Sequence, residues 1–334
     1  MSRVPSKILV CGGAGYIGSH AVPLLLEDGF EVIVLDNLSR GHRESLDGFP
    51  VTLVQGNFGD ERVLDEIFRT HLIAAVLHFG GYTYVGDSVK EPVVYYQNNL
   101  IETFTLLKTM LKHQCKRFVF SSTCSTYGVP QRDVLNEEHP QKPINPYGKT
   151  KLMVEEILAD FDIAYQFKSM SLRYFNASGA SSDGKRGEDH RPETHLIPLL
   201  LKAIQGIEPP LTIFGEDYDT PDGTCIRDYI HVEDLADAHL LALKKLLNGG
   251  NSHAYNLGTE KGFSVLEILK MAEHITGKKV PYKMGQRRAG DPACLIADSS
   301  KARKELNWIP KRSQLDYILS TAWKWLEKKG SYQY

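Results

Sequence analysis

Tyr147 and Lys151, four residues apart in Pro146-Tyr147-Gly148-Lys149-Thr150-Lys151, are side chains whose types and spacing suit proton transfer. On a helix, residues four apart stand on one face, a turn apart. A phenol with its usual pKa near 10 is a poor base at neutral pH, and a neighbouring ammonium lowers that value. The same spacing occurs on solvated helix faces, so the pair alone does not distinguish a catalyst from an exposed surface. Ser121-Ser122-Thr123, at the end of an apolar run, offers hydroxyls that can orient a substrate alcohol or simply cap a loop. Gly12-x-x-Gly15-x-x-Gly18 suits a tight turn, close approach of backbone to a pyrophosphate, and packing of helix on strand.

These groups need a scaffold, and the flanking pattern predicts one. Lys7 to Cys11 reads as a buried strand, Ser19 to Leu26 as a helix closed by Asp28-Gly29, and Glu31 to Leu35 as a second strand ending at Asp36. Strand, glycine turn, helix, strand and acid make a βαβ unit for a dinucleotide, with phosphates at the helix N-terminus. Asp36 suits a ribose diol and repels a 2′-phosphate, which favours NAD over NADP, although Arg40 lies nearby. The alternation continues with a strand at Val51 to Val54, a helix at Asp60 to Thr70 and a strand at Ala74 to Phe79. A long helix over Val93 to Leu111, a strand at Arg117 to Phe120, the helix carrying Tyr147 and a strand at Lys168 to Leu172 follow. This predicts an α/β fold: a Rossmann-type, doubly wound parallel sheet.

After Asn176 the rhythm breaks. Ser181 to Glu193 reads as a polar surface loop, and Ile230 to Leu247 as an amphipathic helix that packs back on the sheet. The expected division is an NAD-binding domain over 1–175, with 228–258 returning to it, and a smaller α/β substrate-binding domain over 176–334. Composition excludes other classes. A formal net charge of -2 provides no basic field for nucleic acid or anionic lipid. The five cysteines are scattered, with no Cys-x-x-Cys pair or His/Cys cluster, so neither a disulfide framework nor a metal is expected. With no signal-peptide core or membrane-length apolar run, a reduced, cytoplasmic setting is expected.

The sequence resembles the extended short-chain dehydrogenase/reductase family, and within it the sugar-nucleotide 4-epimerases, over nearly its whole length. The resemblance is carried by GGAGYIGSH (12–20), VLDNLSRGHRESL (34–46), HFGGYTYVGDSV (78–89), FSSTCSTYG (120–128), NPYGKTKLMVE (145–155) and LRYFNASGA (172–180). It continues through GTCIRDYIHVEDLADAH (223–239), YNLGT (255–259), RRAGDPA (287–293) and ELNW (305–308). It implies that Thr123, Tyr147 and Lys151 are catalytic. It implies an NAD site formed by Gly12, Gly15, Tyr16, Ile17, Gly18, Asp36, Asn37, Ser39, Asn57, Phe58, Phe79, Gly80, Gly81, Asn98, Ser121 and Tyr174, together with Tyr147 and Lys151. For the UDP-sugar it implies Thr123, Tyr147, Asn176, His195, Leu196, Thr212, Phe214, Arg227, Arg288 and Asp291. Two arginines make an efficient diphosphate clamp, though Arg227 could instead pair with Asp228 or Asp234.

Some positions depart from the family pattern. Cys11 replaces a threonine, Asn57 an aspartate that faces the adenine, and His195 an asparagine on the substrate side; Thr83 stands where some members place a lysine. The implied reaction is reversible inversion at C4 of a UDP-hexose, UDP-glucose or UDP-galactose, through a transient 4-keto sugar and bound NAD. The rivals are 4-epimerisation of a UDP-N-acetylhexosamine or UDP-xylose/arabinose, a 4,6-dehydratase, and a non-catalytic NAD-binding sensor. Dehydratases carry Asp-Glu after the catalytic threonine, where this sequence has Cys124-Ser125. Leu295, beside Cys294, falls at the position that limits sugar size. The resemblance also implies a homodimer built on Val93–Leu111 and Lys151–Asp160.

Overall fold

The computed structural model describes residues 6–288 and 291–328. In chain order its elements begin β1 (Lys7–Cys11), α1 (Tyr16–Glu27), β2 (Glu31–Asp36), β3 (Thr52–Gln55), α2 (Glu61–Thr70), β4 (Ile73–His78), α3 (Val85–Lys90) and α4 (Pro92–Tyr95). They continue with α5 (Thr103–Lys112), β5 (Arg117–Thr123), β6 (Val134–Leu135), α6 (Pro146–Tyr165), β7 (Lys168–Tyr174), β8 (Asn176–Ser178), α7 (Leu196–Ile204) and β9 (Leu211–Phe214). The remainder are β10 (Ile226–His231), α8 (Val232–Leu247), β11 (His253–Leu257), β12 (Gly262–Ser264), α9 (Val265–Thr276), β13 (Tyr282–Gly285), β14 (Cys294–Ala297), α10 (Ser300–Leu306) and α11 (Leu315–Lys328).

Seven strands form one parallel sheet in the order β3-β2-β1-β4-β5-β7-β11. The chain winds outward from β1 in one direction and then from β4 in the other, so the crevice between β1 and β4 is the switch point where such sheets bind ligands. Alternate strand residues feed the two faces. Ile8 and Val10 join Val22 and Leu25 of α1 and Leu235, Ala242 and Leu246 of α8. Leu9 and Cys11 join Leu64 and Ile67 of α2, Leu106 and Met110 of α5, and Val154 and Leu158 of α6. A third apolar cluster joins α7, α9 and α11 around Leu200, Ile268 and Ile318, beside the smaller sheet β12-β10-β14-β6.

Several elements differ from their sequence expectation. Val93 to Leu111 is not one regular α-helix: a π-helical segment over Tyr96–Glu102 separates α4 from α5. The wider turn carries the buried Asn98 and Asn99, and Asn99 bonds both the N–H and the C=O of Tyr82. Ile230 and His231 belong to β10, and α8 begins at Val232 because the His231 ring accepts from the amide of Glu233 as its cap. β5 runs on through Thr123 and β7 through Tyr174, which brings both side chains to the same sheet edge, in register.

Candidate active site

The catalytic pair is set by the start of α6. Asn145 accepts from the amide of Gly148 at 2.8 Å, and Pro146 occupies the first helical position, so Tyr147 projects from the first turn. Gly148 allows the close approach: a Cβ there would lie 2.5 Å from the carbonyl oxygen of Ser125. Tyr147 is thereby held against the end of β5, buried and hydrogen-bonded to Thr123. Thr123 accepts from the amide of Ser125 at 3.1 Å, which leaves its hydroxyl proton to donate. One turn on, Lys151 is 4% exposed; its Nζ donates to the Ser121 carbonyl at 3.0 Å and lies 4.8 Å from the Phe120 ring centre.

Burial decides the electrostatics. It pushes the Tyr147 phenol well above its ordinary range, and the Tyr174 phenol adds to this while the Thr123 hydrogen bond acts the other way. Burial also brings Lys151 down to about 8, against the opposing charge of Glu155. Desolvation of the ring is the largest effect on the Tyr147 phenol.

The three hydroxyls at the end of β5 diverge. Thr123 meets Tyr147. Ser121 bonds Tyr174 and lies 2.9 Å from Nε2 of His239. Nδ1 of His239 donates to the Leu235 carbonyl at 2.8 Å, so Nε2 is the acceptor and the order runs Tyr174 to Ser121 to His239. Ser122 turns away to Glu155, which forms a buried ion pair with Arg173. Tyr84 and Tyr95 pack around Tyr147. The sequence reading missed His239, Asn99 and the Glu155–Arg173 pair. Their partners are distant in the chain, and no local pattern marks them.

The glycine turn sits at the switch point. Gly12 has φ +77°, and a Cβ there would lie 2.6 Å from the amide nitrogen of Gly80; one on Gly18 would lie 2.2 Å from the Gly12 oxygen. Asp36 accepts from the amides of Ala14 and Leu38, both at 2.9 Å, so it braces the turn. Its pKa is raised by burial, against those two bonds. Asn37 accepts from the amide of Ser39, Ile17 packs into the core beneath, and Tyr16 sends its hydroxyl 2.6 Å to the Gly179 carbonyl. Asn57 accepts from the Gly59 amide, Phe58 packs edge-on against His78, and Phe79 lies on His239. A Cβ on Gly80 would strike Phe58, and one on Gly81 would come within 3.3 Å of Lys151 Nζ. Asn98 donates to Glu102, while its Oδ1 is buried without a partner among the described residues. A backbone cradle that no Cβ could share, an acid at the end of β2 and an unmatched buried carbonyl fit a dinucleotide.

Farther along, Arg227 pairs with Asp291, not with Asp228 or Asp234. Asp228 is taken by Thr259, Glu260 and Ala297, and Asp234 by Lys311, Arg312 and Ser313. The Arg288 guanidinium lies 4.0 Å from the Phe214 ring centre, and its carbonyl accepts from the amide of Asp291. Arg227, Asp291, Arg288 and Phe214 thus form one connected group, with Leu295 opposite Arg227 in the β10–β14 register. Thr212 precedes Phe214 by two residues on β9, so it lies on the same face, and Asn176 donates to the Asp228 carbonyl. His195 occupies the N-cap position of α7 without a side-chain capping bond, and Leu196 opens the helix. Among the described residues no helix is long and apolar enough to cross a membrane.

The chain matches the NAD dependent epimerase/dehydratase family over residues 8–258. A UDP-glucose 4-epimerase of Lactobacillus helveticus is 51% identical over 319 residues, 96% of each chain. The crystal structure of a UDP-glucose 4-epimerase, 45% identical, superposes with TM-score 0.96 over 98% of this chain and 100% of its own. A UDP-glucose 4-epimerase of Bifidobacterium longum, in complex with NAD+ and UDP, is 40% identical with TM-score 0.92, over 97% of this chain and 99% of its own.

Proposed function

The chain belongs to the NAD dependent epimerase/dehydratase family, and from that membership we propose that it interconverts UDP-glucose and UDP-galactose by inversion at C4. The relatives and structural neighbours named above support this reading. The observation that carries it furthest is Tyr147 hydrogen-bonded to Thr123 at the end of β5, with Lys151 a turn away beside the glycine turn.

NAD, when bound, supplies a hydride acceptor and donor with a formal positive charge in its oxidised form. Gly12, Gly15 and Gly18 with the N-terminus of α1 would hold its pyrophosphate and Asp36 its ribose, with Asn98 a further contact and Tyr174 beside the nicotinamide. Thr123 donates to the sugar 4-oxygen, and Tyr147, as phenolate, removes the hydroxyl proton. The Lys151 ammonium, together with the positive charge that oxidised NAD would bring, favours the phenolate against the burial that otherwise keeps the phenol neutral. After the 4-keto sugar turns over in the pocket, Tyr147 returns the proton to the new alcohol.

The turn Cys124–Thr126 carries no carboxylate beside Thr123, so no acid stands ready to expel a C6 hydroxyl. The Cys124 thiol, pushed up to about 12 by burial, does not serve instead. Arg227 and Arg288 clamp the diphosphate, Phe214 and Thr212 meet the uracil, Asp291 its ribose, and Asn176, His195 and Leu196 complete the sugar-nucleotide site. The division into an NAD-binding region over 1–175 and a UDP-sugar region over 176–334 follows from the same assignment.

The protein acts in the cytoplasm as a homodimer. Val93, Val94, Ile101 and Phe104 on the α4–α5 stretch and Met153 on α6 are large apolar side chains left exposed, as an interface would leave them. Purified protein with its bound NAD measured is to be offered a panel of UDP-sugars. UDP-galactose should give UDP-glucose, whereas failure on every hexose with NAD in place would contradict the proposal.

A further inference from the structure

The loop before α7 contains two Glu-x-His pairs, Glu188-Asp189-His190 and Glu193-Thr194-His195. The fold gathers all four named Glu and His side chains: one ligand atom from each lies within 4.8 Å of every other. Two of the four are carboxylates taken almost wholly out of water, with Glu188 5% and Glu193 1% exposed at the side chain. The His195 ring, paired with Glu188, balances one of these two buried anions and leaves the second to be compensated by a cation.

The hydrogen bonding leaves room for one. Oε1 of Glu193 accepts from the amides of Thr194 and His195, at 2.7 and 2.9 Å, which fixes the carboxylate. Its Oε2 is buried with no partner among the described residues. Nδ1 of His190 is 3.1 Å from Glu188 Oε1 yet makes no properly aligned hydrogen bond, and it too is buried and unmatched among the described residues. Nδ1 of His195 is in close contact with the same Glu188 oxygen. Glu188 and His195 are hydrogen-bonded to each other, while the unmatched Glu193 Oε2 and His190 Nδ1 sit in the same cluster.

We infer that Glu188, His190, Glu193 and His195 bind a late first-row divalent cation, zinc above all, tying the loop after β8 to the start of α7. Two imidazoles and two carboxylates are a normal zinc ligand set, and the +2 charge balances the two anions. Zinc bonds of about 2.0–2.2 Å put tetrahedral ligand atoms about 3.4 Å apart, so the widest pairs must draw in and the Glu188–His195 pair must open to close the shell. Binding displaces any proton shared between Glu188 and His195 to solvent, with no other bond made or broken.

The surroundings suit a structural ion. The Glu188 carbonyl accepts from Trp325 of α11, the Pro192 carbonyl from Tyr84, and the His190 ring meets Tyr16 and Tyr84 edge-on. His195, the exposed member, gives the ion an entry path. Cysteine spacing does not mark this cluster, because its ligands are carboxylates and imidazoles.

The test is elemental analysis of tag-free protein, purified without chelator and then dialysed against equimolar zinc. About one zinc per chain is expected, falling at least about tenfold in the double variant His190→Ala/Glu193→Gln. Zinc-edge X-ray absorption of the unmutated protein provides a readout that does not depend on the variant folding. It should show a four-coordinate nitrogen/oxygen shell with imidazole scattering. Metal-free protein after dialysis, unchanged zinc in a folded double variant, or a shell without imidazole would each overturn the inference and leave the four side chains as self-paired ions.

Discussion

Replacing Lys151 by methionine should stabilise the protein at neutral pH while removing most of its activity. The ammonium is 4% exposed, and burial holds its pKa at about 8 against the usual 10.5. Between those values the folded chain binds fewer protons than the unfolded one. The group therefore costs nothing above 10.5, and stability is lost as pH falls through 8. At about 1.4 kcal/mol per pH unit, that gap amounts to about 3 kcal/mol at pH 7. Methionine forfeits the bond to the Ser121 carbonyl, about 1 kcal/mol, and the contact with the Phe120 ring, about 1 kcal/mol. The net gain is about 1 kcal/mol at pH 7, changing sign by about pH 9.5, where the penalty has fallen to about 1.4 kcal/mol. Urea unfolding of both proteins at the two pH values, with bound NAD measured in each, reads this difference. Activity on UDP-galactose should fall at least about 100-fold. A stability difference that does not move with pH would refute the burial argument, and retained activity would refute the role given to Lys151.

Gly12→Ala forces a Cβ into the Phe79–Gly80 backbone at φ +77°, which costs about 2–4 kcal/mol. The variant should purify without NAD, as acid release of the nucleotide would show. Glu155→Gln leaves Arg173 buried without its anion and should cost about 3–5 kcal/mol, read as a lower urea midpoint. His20 and His239 are each held at about 4 by burial, below the 6.5 of an unfolded histidine. Their stabilisation is complete above pH 6.5 and is lost as pH falls toward 4, at about 1.4 kcal/mol per pH unit each. Thermal unfolding between pH 7 and 5 should show that slope, and His20→Gln should remove its own share, about 1.4 kcal/mol per pH unit, while the share of His239 stays.

What the sequence revealed was local. The strand–glycine–helix–strand unit, the acid closing β2, the hydroxyls ending β5 and the tyrosine–lysine step each depend on neighbours within a few dozen residues, so pattern and spacing were enough. The partners were not local. Arg227 finds Asp291 across 64 residues, although Asp228 and Asp234 lie nearer in sequence; the β10–β14 pairing and the loop amides that occupy those two acids decide the matter. His239 reaches Ser121 across 118 residues through the packing of α8 on the sheet. The π-helical turn at Tyr96–Glu102 left no mark on the apolar period of its segment, and burial of the Tyr147 ring, which outweighs the lysine, exists only once the sheet is assembled.

The central claim is that the hydrogen taken from C4 is returned to the same carbon while Tyr147 moves the hydroxyl proton. UDP-galactose carrying deuterium at C4, given to the purified protein without added NAD, tests it most directly. The account expects UDP-glucose with the deuterium still at C4, and at least about a 100-fold loss of rate in a Tyr147→Phe variant that still holds NAD. Deuterium lost to solvent, or a phenylalanine variant that turns over normally, would contradict it.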